Sequence, residues 1–226
     1  MPGAGIHGLS GGAAVAVPRA LLLGAAVLCS AVSAHAGTFP RDEVITDPTP
    51  ERFSVCYDFG CASIAFLSLA PQEWAQIRAR FEPPAADAAA ERERVREAIA
   101  LFERITGERI GTKRDKAGTF FSGESEFQMD CVDESTNTTS YLVMLERQGL
   151  LRWHRVGETV TRGWFLFGWP HQAATLVERA GGVEWVVDSW FLDNGHPPFI
   201  LPLELWRSGW NPPPSGVPAE ARQPRQ

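Results

Sequence analysis

The chain has 226 residues, 44% of them hydrophobic, and carries a formal net charge of −6 at pH 7. An acidic chain without a basic stripe is unsuited to nucleic acid and to anionic membrane surfaces, so we expect neither as a partner. The length suits a single domain with a substantial core.

The N-terminal segment, residues 1–36, has the pattern of a cleavable signal peptide. Arg19 is its only formal charge and directly precedes an apolar run over residues 20–32. This run is shorter than the ~20 apolar residues of a membrane span. The sequence AHA at residues 34–36 then supplies a small-x-small cleavage pattern. We predict export, to the periplasm or the medium, after cleavage near Ala36, and we expect no membrane span in the mature chain. An uncleaved anchor is the alternative.

Export changes the cysteine count. Cys29 leaves with the signal segment, so Cys56, Cys61 and Cys131 remain. In an oxidising compartment an odd count suggests one disulfide and one free thiol. A turn-like tetrapeptide at residues 57–60 can bring the Cα atoms of Cys56 and Cys61 within the ~4.4–6.8 Å of a disulfide. We predict this disulfide and an unpaired Cys131. Two free core cysteines or half of a metal site are the alternatives.

The N-terminal half of the mature chain is predicted to be helical. A short amphipathic helix is expected over residues 71–81, and the Pro-Pro pair at residues 83–84 stops it. A longer helix is expected over residues 88–108, because its apolar positions recur at helical spacing. Gly111 ends that pattern. The charged side chains from Glu91 to Arg96 are expected on a solvated face of this helix.

The C-terminal half is predicted to be sheet, because short runs of valine, tryptophan, phenylalanine and threonine alternate there with glycine and proline. Residues 197–210 are expected to form a loop, and residues 211–226 a disordered tail. Helices followed by antiparallel strands predict an α+β domain over residues 54–210, after an irregular lead-in segment at residues 37–53. The predicted strands are residues 151–160, 163–168, 172–178 and 183–189.

Cys131 is the candidate nucleophile. If a helix begins near it and ends at Gly149, the thiol lies in the first turn, where free backbone N–H groups and the helix dipole favour the thiolate. The same N–H groups are suited to binding the oxyanion of a tetrahedral intermediate. Residues 136–140, the sequence TNTTS, are poor helix formers, so tertiary packing has to override their propensity.

A thiolate nucleophile needs a base, and the base needs a partner that orients it. His171 begins one predicted strand and Asp188 ends the next. If the hairpin between them has an even loop, both side chains point to the same face. They then lie opposite each other or one or two diagonal steps apart, and a single diagonal step is ~7–8 Å between Cα atoms. An odd loop would place them on opposite faces.

These residues resemble the transglutaminase-like superfamily, particularly its bacterial cysteine proteinases. In that pattern a Cys-x-Asp opens a helix, a histidine starts a strand, and an aspartate ends the next strand. The matching text is DCVD at residues 130–133, HQAATLV at residues 171–177 and WVVD at residues 185–188. The resemblance covers residues 128–191. It implies a papain-like or transglutaminase-like fold in which N-terminal helices pack on a C-terminal antiparallel sheet.

By this resemblance Cys131 is the nucleophile, His171 the general base and acid, and Asp188 the residue that holds the imidazole. The implied reaction is attack on an amide carbonyl to give an acyl-enzyme thioester, followed by hydrolysis or transfer to an amine. The expected substrate is a peptide or protein, including cell-wall peptide, with peptide or isopeptide bonds. No cofactor is required.

Other residues remain candidates for parts of this site. His154 and His196 are alternative bases, and Asn194 is an alternative to Asp188 for orienting a histidine. Gln128 is a candidate oxyanion donor. Cys131, His171 and Asp188 are also acceptable zinc ligands, which gives a metal-binding alternative.

Acidic and aromatic side chains next to the candidate triad suggest binding roles. Asp130, Asp133 and Glu134 form an oxygen-rich group that is a weak candidate for calcium, although such a group is more often a solvated helix start. Trp169 and Trp190 neighbour the candidate histidine and aspartate and are expected to line a substrate groove. The alternative function is a non-catalytic exported binding module that uses this tryptophan-rich cleft.

Overall fold

The hydrophobic periodicity of the chain produces an α+β arrangement, as predicted. The computed structural model describes residues 40–120, 126–163 and 170–213, all of which belong to one compact unit of the chain. The predicted signal segment, Trp169, most of the predicted strand at residues 163–168 and most of the predicted tail lie outside these residues. None of the described helices is both long and apolar enough to cross a bilayer.

A β-hairpin opens the domain, in a region where only helices were predicted. Strands β1 (Phe53–Tyr57) and β2 (Ser63–Leu67) pair antiparallel, with Cys56 opposite Ile64. The predicted disulfide is confirmed: Cys56 and Cys61 are bonded, with their Cα atoms 4.6 Å apart. Residues 58–61 all have φ between 60° and 68°, a conformation that favours glycine, although Gly60 is the only glycine among them.

The two predicted N-terminal helices are confirmed. Helix α1 (Pro71–Ala79) is followed by the longer α2 (Ala88–Ile110), whose first turn is capped by the Asp87 carboxylate. Gly111 ends α2 with φ of 98°, a left-handed C-cap, and a Cβ on it would lie 2.9 Å from the Phe127 ring.

Helix α3 (Cys131–Arg147) is the central element of the domain. It packs against β1, α2 and the main sheet. Its Thr-, Asn- and Ser-rich segment is buried on all sides, so burial and tertiary hydrogen bonds replace intrinsic propensity in stabilising it. The Tyr141 ring stacks on Phe102 of α2, with ring centroids 4.5 Å apart.

The main sheet is antiparallel and consists of β3 (His154–Val156), β4 (Val160–Arg162), β5 (His171–Glu178), β6 (Glu184–Asp188) and β7 (Phe199–Pro202). Its strand order is β3-β5-β6-β7, and β4 pairs with the start of β5, whose end pairs with β3. The prediction of one long strand at residues 151–160 is wrong, because β3 and β4 are two short strands separated by an irregular segment at residues 157–159.

The prediction of a loop at residues 197–210 is also wrong. Strand β7 pairs with β6, and helix α4 (Leu203–Arg207) follows it directly. Pro202 ends the strand and is the N-cap residue of the helix. A proline is tolerated at the end of an edge strand and just before a helix, so it did not break the structure as the sequence suggested.

Candidate functional site

The β5–β6 hairpin brings His171 and Asp188 together. Its register pairs Ala174 with Val187, which leaves the side chains of His171 and Asp188 on one face, one diagonal step apart. His171 Nε2 lies 2.7 Å from Asp188 Oδ2, and Asp188 is only 1% exposed. The geometry predicted for an even hairpin loop is therefore present.

Cys131 lies against the start of the same strand. It is the first residue of α3, and its thiol contacts the carbonyl oxygen of Pro170 at 3.8 Å. The backbone N–H of Gln172 also interacts with the sulfur. Pro170 and Gln172 flank His171, whose Nδ1 is buried and has no hydrogen-bond partner among the described residues. The imidazole therefore uses Nε2 for Asp188 and keeps Nδ1 available on the buried side.

The thiol does not have the lowered pKa that its place at a helix start predicted. Cys131 is 5% exposed, and burial raises the pKa of its thiol to about 11. The Gln172 N–H lowers this pKa, but the nearby carboxylates of Asp130 and Asp188 raise it further. At neutral pH the resting side chain is accordingly a neutral thiol.

Aromatic rings surround the imidazole. The rings of Trp190, Phe191 and Trp206 have centroids 4.7, 5.3 and 5.5 Å from that of His171. Trp190 is held by a hydrogen bond from its indole N–H to the carbonyl of Thr119 at 3.0 Å. Of the two tryptophans predicted to line a groove, Trp190 thus contacts the candidate base, and Trp169 lies outside the described residues.

The alternative site residues lie in other surroundings. The side chain of Gln128 bonds to the backbone of Arg114 and Lys116. Asn194 Oδ1 packs against Gly107, where an added Cβ would approach it to 2.7 Å. Asp188, rather than Asn194, therefore orients His171.

Neither alternative histidine is placed to serve Cys131. His154 pairs with Glu178 at the far end of β5, about 23 Å from His171 for an extended strand. Its ring is fully buried and bonds to the Glu91 carboxylate, with Nδ1 2.9 Å from Oε1. Glu91 was predicted on a solvated helix face and is instead 1% exposed. His196 is exposed, and its Nδ1 contacts the Asp193 carbonyl.

Two of the three acids around Cys131, Asp130 and Asp133, accept hydrogen bonds from backbone N–H groups. Asp130 caps α3 and also accepts from the N–H of Gly60. Asp133 accepts from the N–H groups of Phe59 and Cys61 at 2.9 and 2.7 Å. Both carboxylates thereby tie the disulfide loop to the start of α3. The prediction of a solvated helix start is wrong, since Asp133 and Glu134 are 0% and 3% exposed.

Glu134 belongs to a buried carboxyl cluster that the sequence did not reveal. Its neighbours are Glu103 of α2 and Asp115 of the following turn, both also buried. Burial raises the pKa of Glu103 and of Asp115 to about 7, and burial together with the surrounding acids raises the pKa of Glu134 well above its usual value. These acids come from distant segments, so no local pattern signals their meeting.

Potential metal ligands converge elsewhere than on the proposed triad. Among the described residues, the group of three whose ligand atoms lie within 4.8 Å of one another consists of Cys56, Cys61 and Asp133. Two of these are joined in the disulfide, and the third accepts backbone hydrogen bonds. His171 Nε2, in turn, is occupied by Asp188. The geometry of the described residues therefore does not support the zinc site or the calcium site that the sequence offered as alternatives.

Two further residues adjoin the site and were missed in the sequence. Trp206 of α4 donates its indole N–H to Asp188 Oδ2 at 2.7 Å, and the Arg162 guanidinium lies 4.5 Å from the centre of the Trp206 ring. Both contacts depend on the packing of α4 against β6. They were missed because residues 197–210 were predicted to be a loop.

Comparison with known proteins identifies no relative of this chain. No protein-family model matches the chain, and no curated protein or solved structure is significantly similar to it. Any assignment of function therefore rests on the residues of the site and their geometry.

Proposed function

We propose that the mature protein is an exported thiol hydrolase or acyltransferase of transglutaminase-like type, acting on peptide or isopeptide amide bonds. The observation that carries the proposal is the buried His171–Asp188 pair, next to which the first residue of α3 presents a thiol. A nucleophile, a base and an orienting carboxylate from three separate elements make up the arrangement that acyl transfer requires.

The reaction begins with transfer of the Cys131 proton to His171 Nδ1. The thiolate attacks the amide carbonyl carbon, and the backbone N–H of Cys131 stabilises the oxyanion, because the N–H groups of Val132 and Asp133 already donate to Asp130. The C–N bond then breaks, the imidazolium gives its proton to the leaving amine, and a thioester remains on Cys131. Water or a second amine, deprotonated by His171, attacks the thioester and restores the thiol. Asp188 holds the Nε2–H throughout and stabilises the imidazolium.

The raised pKa of Cys131 determines how the nucleophile is formed. A buried, isolated thiolate is costly, whereas a thiolate beside an imidazolium is a neutral pair overall. We therefore place proton transfer to His171 in the same stage as attack on the carbonyl, with the neutral thiol as the resting state of Cys131.

The fold supports the transglutaminase-like, papain-like assignment at the level of architecture. In the described part of the chain, a buried helix with the candidate nucleophile at its N-terminus packs on an antiparallel sheet that supplies the base and the carboxylate. The order of the three residues along the chain is the order that the resemblance requires. With the signal segment, this arrangement favours an extracytoplasmic peptide, such as a cell-wall peptide, as substrate.

A second candidate is a non-catalytic exported binding module built on the same scaffold. The observation that favours it is the burial of Cys131, because a thiol that is 5% exposed and has a pKa of about 11 is poorly prepared for attack. In that case the half-buried rings of Trp190 and Phe191 beside His171 would serve as a binding surface only.

Alkylation of the folded protein separates the two candidates. Native protein is treated with iodoacetamide at pH 7, the label is located by peptide mapping, and wild type is compared with His171→Ala. The hydrolase proposal expects His171→Ala to slow labelling of Cys131 by at least ~tenfold, since general-base assistance is lost. His196→Ala is the matched control and leaves the rate unchanged, because that histidine is exposed and bonds its own loop.

Equal labelling rates in wild type and His171→Ala would contradict the hydrolase proposal. They would mean that the imidazole does not assist the thiol, and the binding module would then be the better assignment.

A further inference from the structure

The carboxylate of Asp188 has two hydrogen-bond donors on the same oxygen. Oδ2 lies 2.7 Å from His171 Nε2 and 2.7 Å from the indole Nε1 of Trp206. Trp206 is fully buried and belongs to α4, an element outside the strands that carry the histidine and the aspartate. The other oxygen, Oδ1, is buried without a hydrogen-bond partner among the described residues. The indole is therefore one of the two groups that fix the orientation of this carboxylate.

Trp206 is itself held in place from the opposite strand. Arg162 of β4 is the register partner of His171, and its guanidinium donates to the backbone carbonyls of Trp206 and Trp210. The same guanidinium packs over the Trp206 ring, 4.5 Å from its centre. These contacts tie α4 to the strand beside the imidazole, so the position of the indole is set relative to His171.

We propose that Trp206 is a positioning residue for the His171–Asp188 pair, an inference that rests on the proposed function. Its indole N–H donates to Asp188 and cannot accept, so it holds Oδ2 toward His171 without competing for the imidazole proton. With Oδ2 so placed, the neutral imidazole carries its proton on Nε2. Nδ1 is then left unprotonated, which is the state that accepts a proton from Cys131.

A tryptophan in a core also stabilises the fold by packing alone. The test must therefore distinguish the effect of losing the indole N–H from the effect of losing the ring. Trp206→Phe keeps an aromatic ring and removes the donor. Replacing the indole by benzothiophene, through incorporation of 3-benzothienylalanine at this position, keeps the bicyclic shape and removes only the N–H. Trp210→Phe is the matched control, because Arg162 donates to the backbone carbonyl of that residue, which the substitution keeps.

The main measurement is the tautomer of His171, read from its ring ¹⁵N chemical shifts at a pH where the imidazole is neutral. In wild type and Trp210→Phe the expected form is Nε2–H. Both changes at Trp206 are expected to populate the Nδ1–H form and to slow alkylation of Cys131 about tenfold, the effect of one lost charge-assisted hydrogen bond. The benzothiophene variant keeps the test valid if Trp206→Phe does not fold.

The inference is overturned if either folded variant retains the wild-type tautomer. The tautomer is observed whether or not Cys131 is reactive. A wild-type thiol that labels independently of His171 would therefore refute the proposed hydrolase, while the ¹⁵N spectrum would still decide the role of Trp206.

Discussion

The side-chain amide of Asn137 pairs with both backbone groups of Cys56. Its Oδ1 accepts from the Cys56 N–H at 2.7 Å, and its Nδ2 donates to the Cys56 carbonyl at 2.9 Å. One turn earlier on the same helix, Asp133 accepts from the N–H of Cys61. Both ends of the disulfide loop are thus hydrogen-bonded to α3. The polar residues that make this helix intrinsically weak also attach it to the hairpin.

Asn137→Leu should destabilise the fold by about 2–4 kcal/mol, because it leaves the buried N–H and carbonyl of Cys56 without partners. Urea unfolding, followed by circular dichroism, measures the change. Asn211→Ala, at an exposed asparagine, is the control and should change stability by less than about 0.5 kcal/mol. Equal stability of the two variants would show that the Asn137 pairing contributes nothing.

Local sequence patterns were sufficient to predict α1, α2 and the strands of the β5–β6 hairpin. Whether His171 and Asp188 could meet depended on the parity of the hairpin loop, which the sequence left open, and the structure has the even loop that places them on one face. The pairing of Asp188 with Trp206, by contrast, could not be predicted from local sequence patterns. It depends on where α4 packs, and a five-residue helix that follows a proline has too little local pattern to be recognised.

The burial of charged side chains also could not be predicted from the sequence. Glu91 stands in a run of glutamates and arginines typical of a solvated helix face. It is buried because β3 passes beside it and supplies donors from the backbone and from His154. Such donors come from residues some sixty positions away, beyond any local window.

Removal of the disulfide should lower stability by about 2 kcal/mol, the loop-closure entropy of a short loop in the unfolded state. The change is the double substitution Cys56→Ala with Cys61→Ala, and thermal or urea unfolding measures it. A thiol reductant provides the control, since it should destabilise the wild type and leave the double variant unaffected. A double variant as stable as the oxidised wild type would show that the Asp133 and Asn137 contacts alone hold this loop.

Glu91→Gln should reduce stability at pH 7 by about 2 kcal/mol, through weakened hydrogen bonds to a buried group. Burial by itself would raise the pKa of Glu91, but hydrogen bonds from the His154 ring and from the N–H groups of residues 152–154 outweigh it and lower the pKa. A carboxyl whose pKa is lowered by folding stabilises the protein above its unfolded pKa of about 4.3.

The stability difference between wild type and Glu91→Gln should therefore be largest near neutral pH and shrink as the pH falls below about 4. Urea unfolding at a series of pH values measures it. Glu93→Gln, on the same helix with its side chain 65% exposed, is the matched control and should show almost no dependence. A pH-independent difference for Glu91→Gln would contradict the assigned hydrogen bonds.

Glu134→Gln should give the opposite pH dependence from Glu91→Gln. Burial, and the carboxyl groups of Glu103 and Asp115, raise the pKa of Glu134. At pH values between the unfolded and the folded pKa, the native state binds more protons than the unfolded chain, so wild-type stability falls as the pH rises above about 4.3. Glutamine carries no titrating proton, and the variant should gain on the wild type by about 1–2 kcal/mol towards pH 7.

The same urea series can be used to test this prediction, with Glu93→Gln again as the control. A Glu134→Gln variant whose stability runs parallel to that of the wild type would mean that the Glu103–Asp115–Glu134 cluster does not retain protons on folding.

The two buried glutamates, Glu91 and Glu134, differ in what surrounds them. Glu91 faces backbone and imidazole donors that favour its charge, whereas Glu134 faces other acids. Burial raises the pKa of both groups, which are 1% and 3% exposed, so the opposite signs of the two pH slopes come from those neighbours.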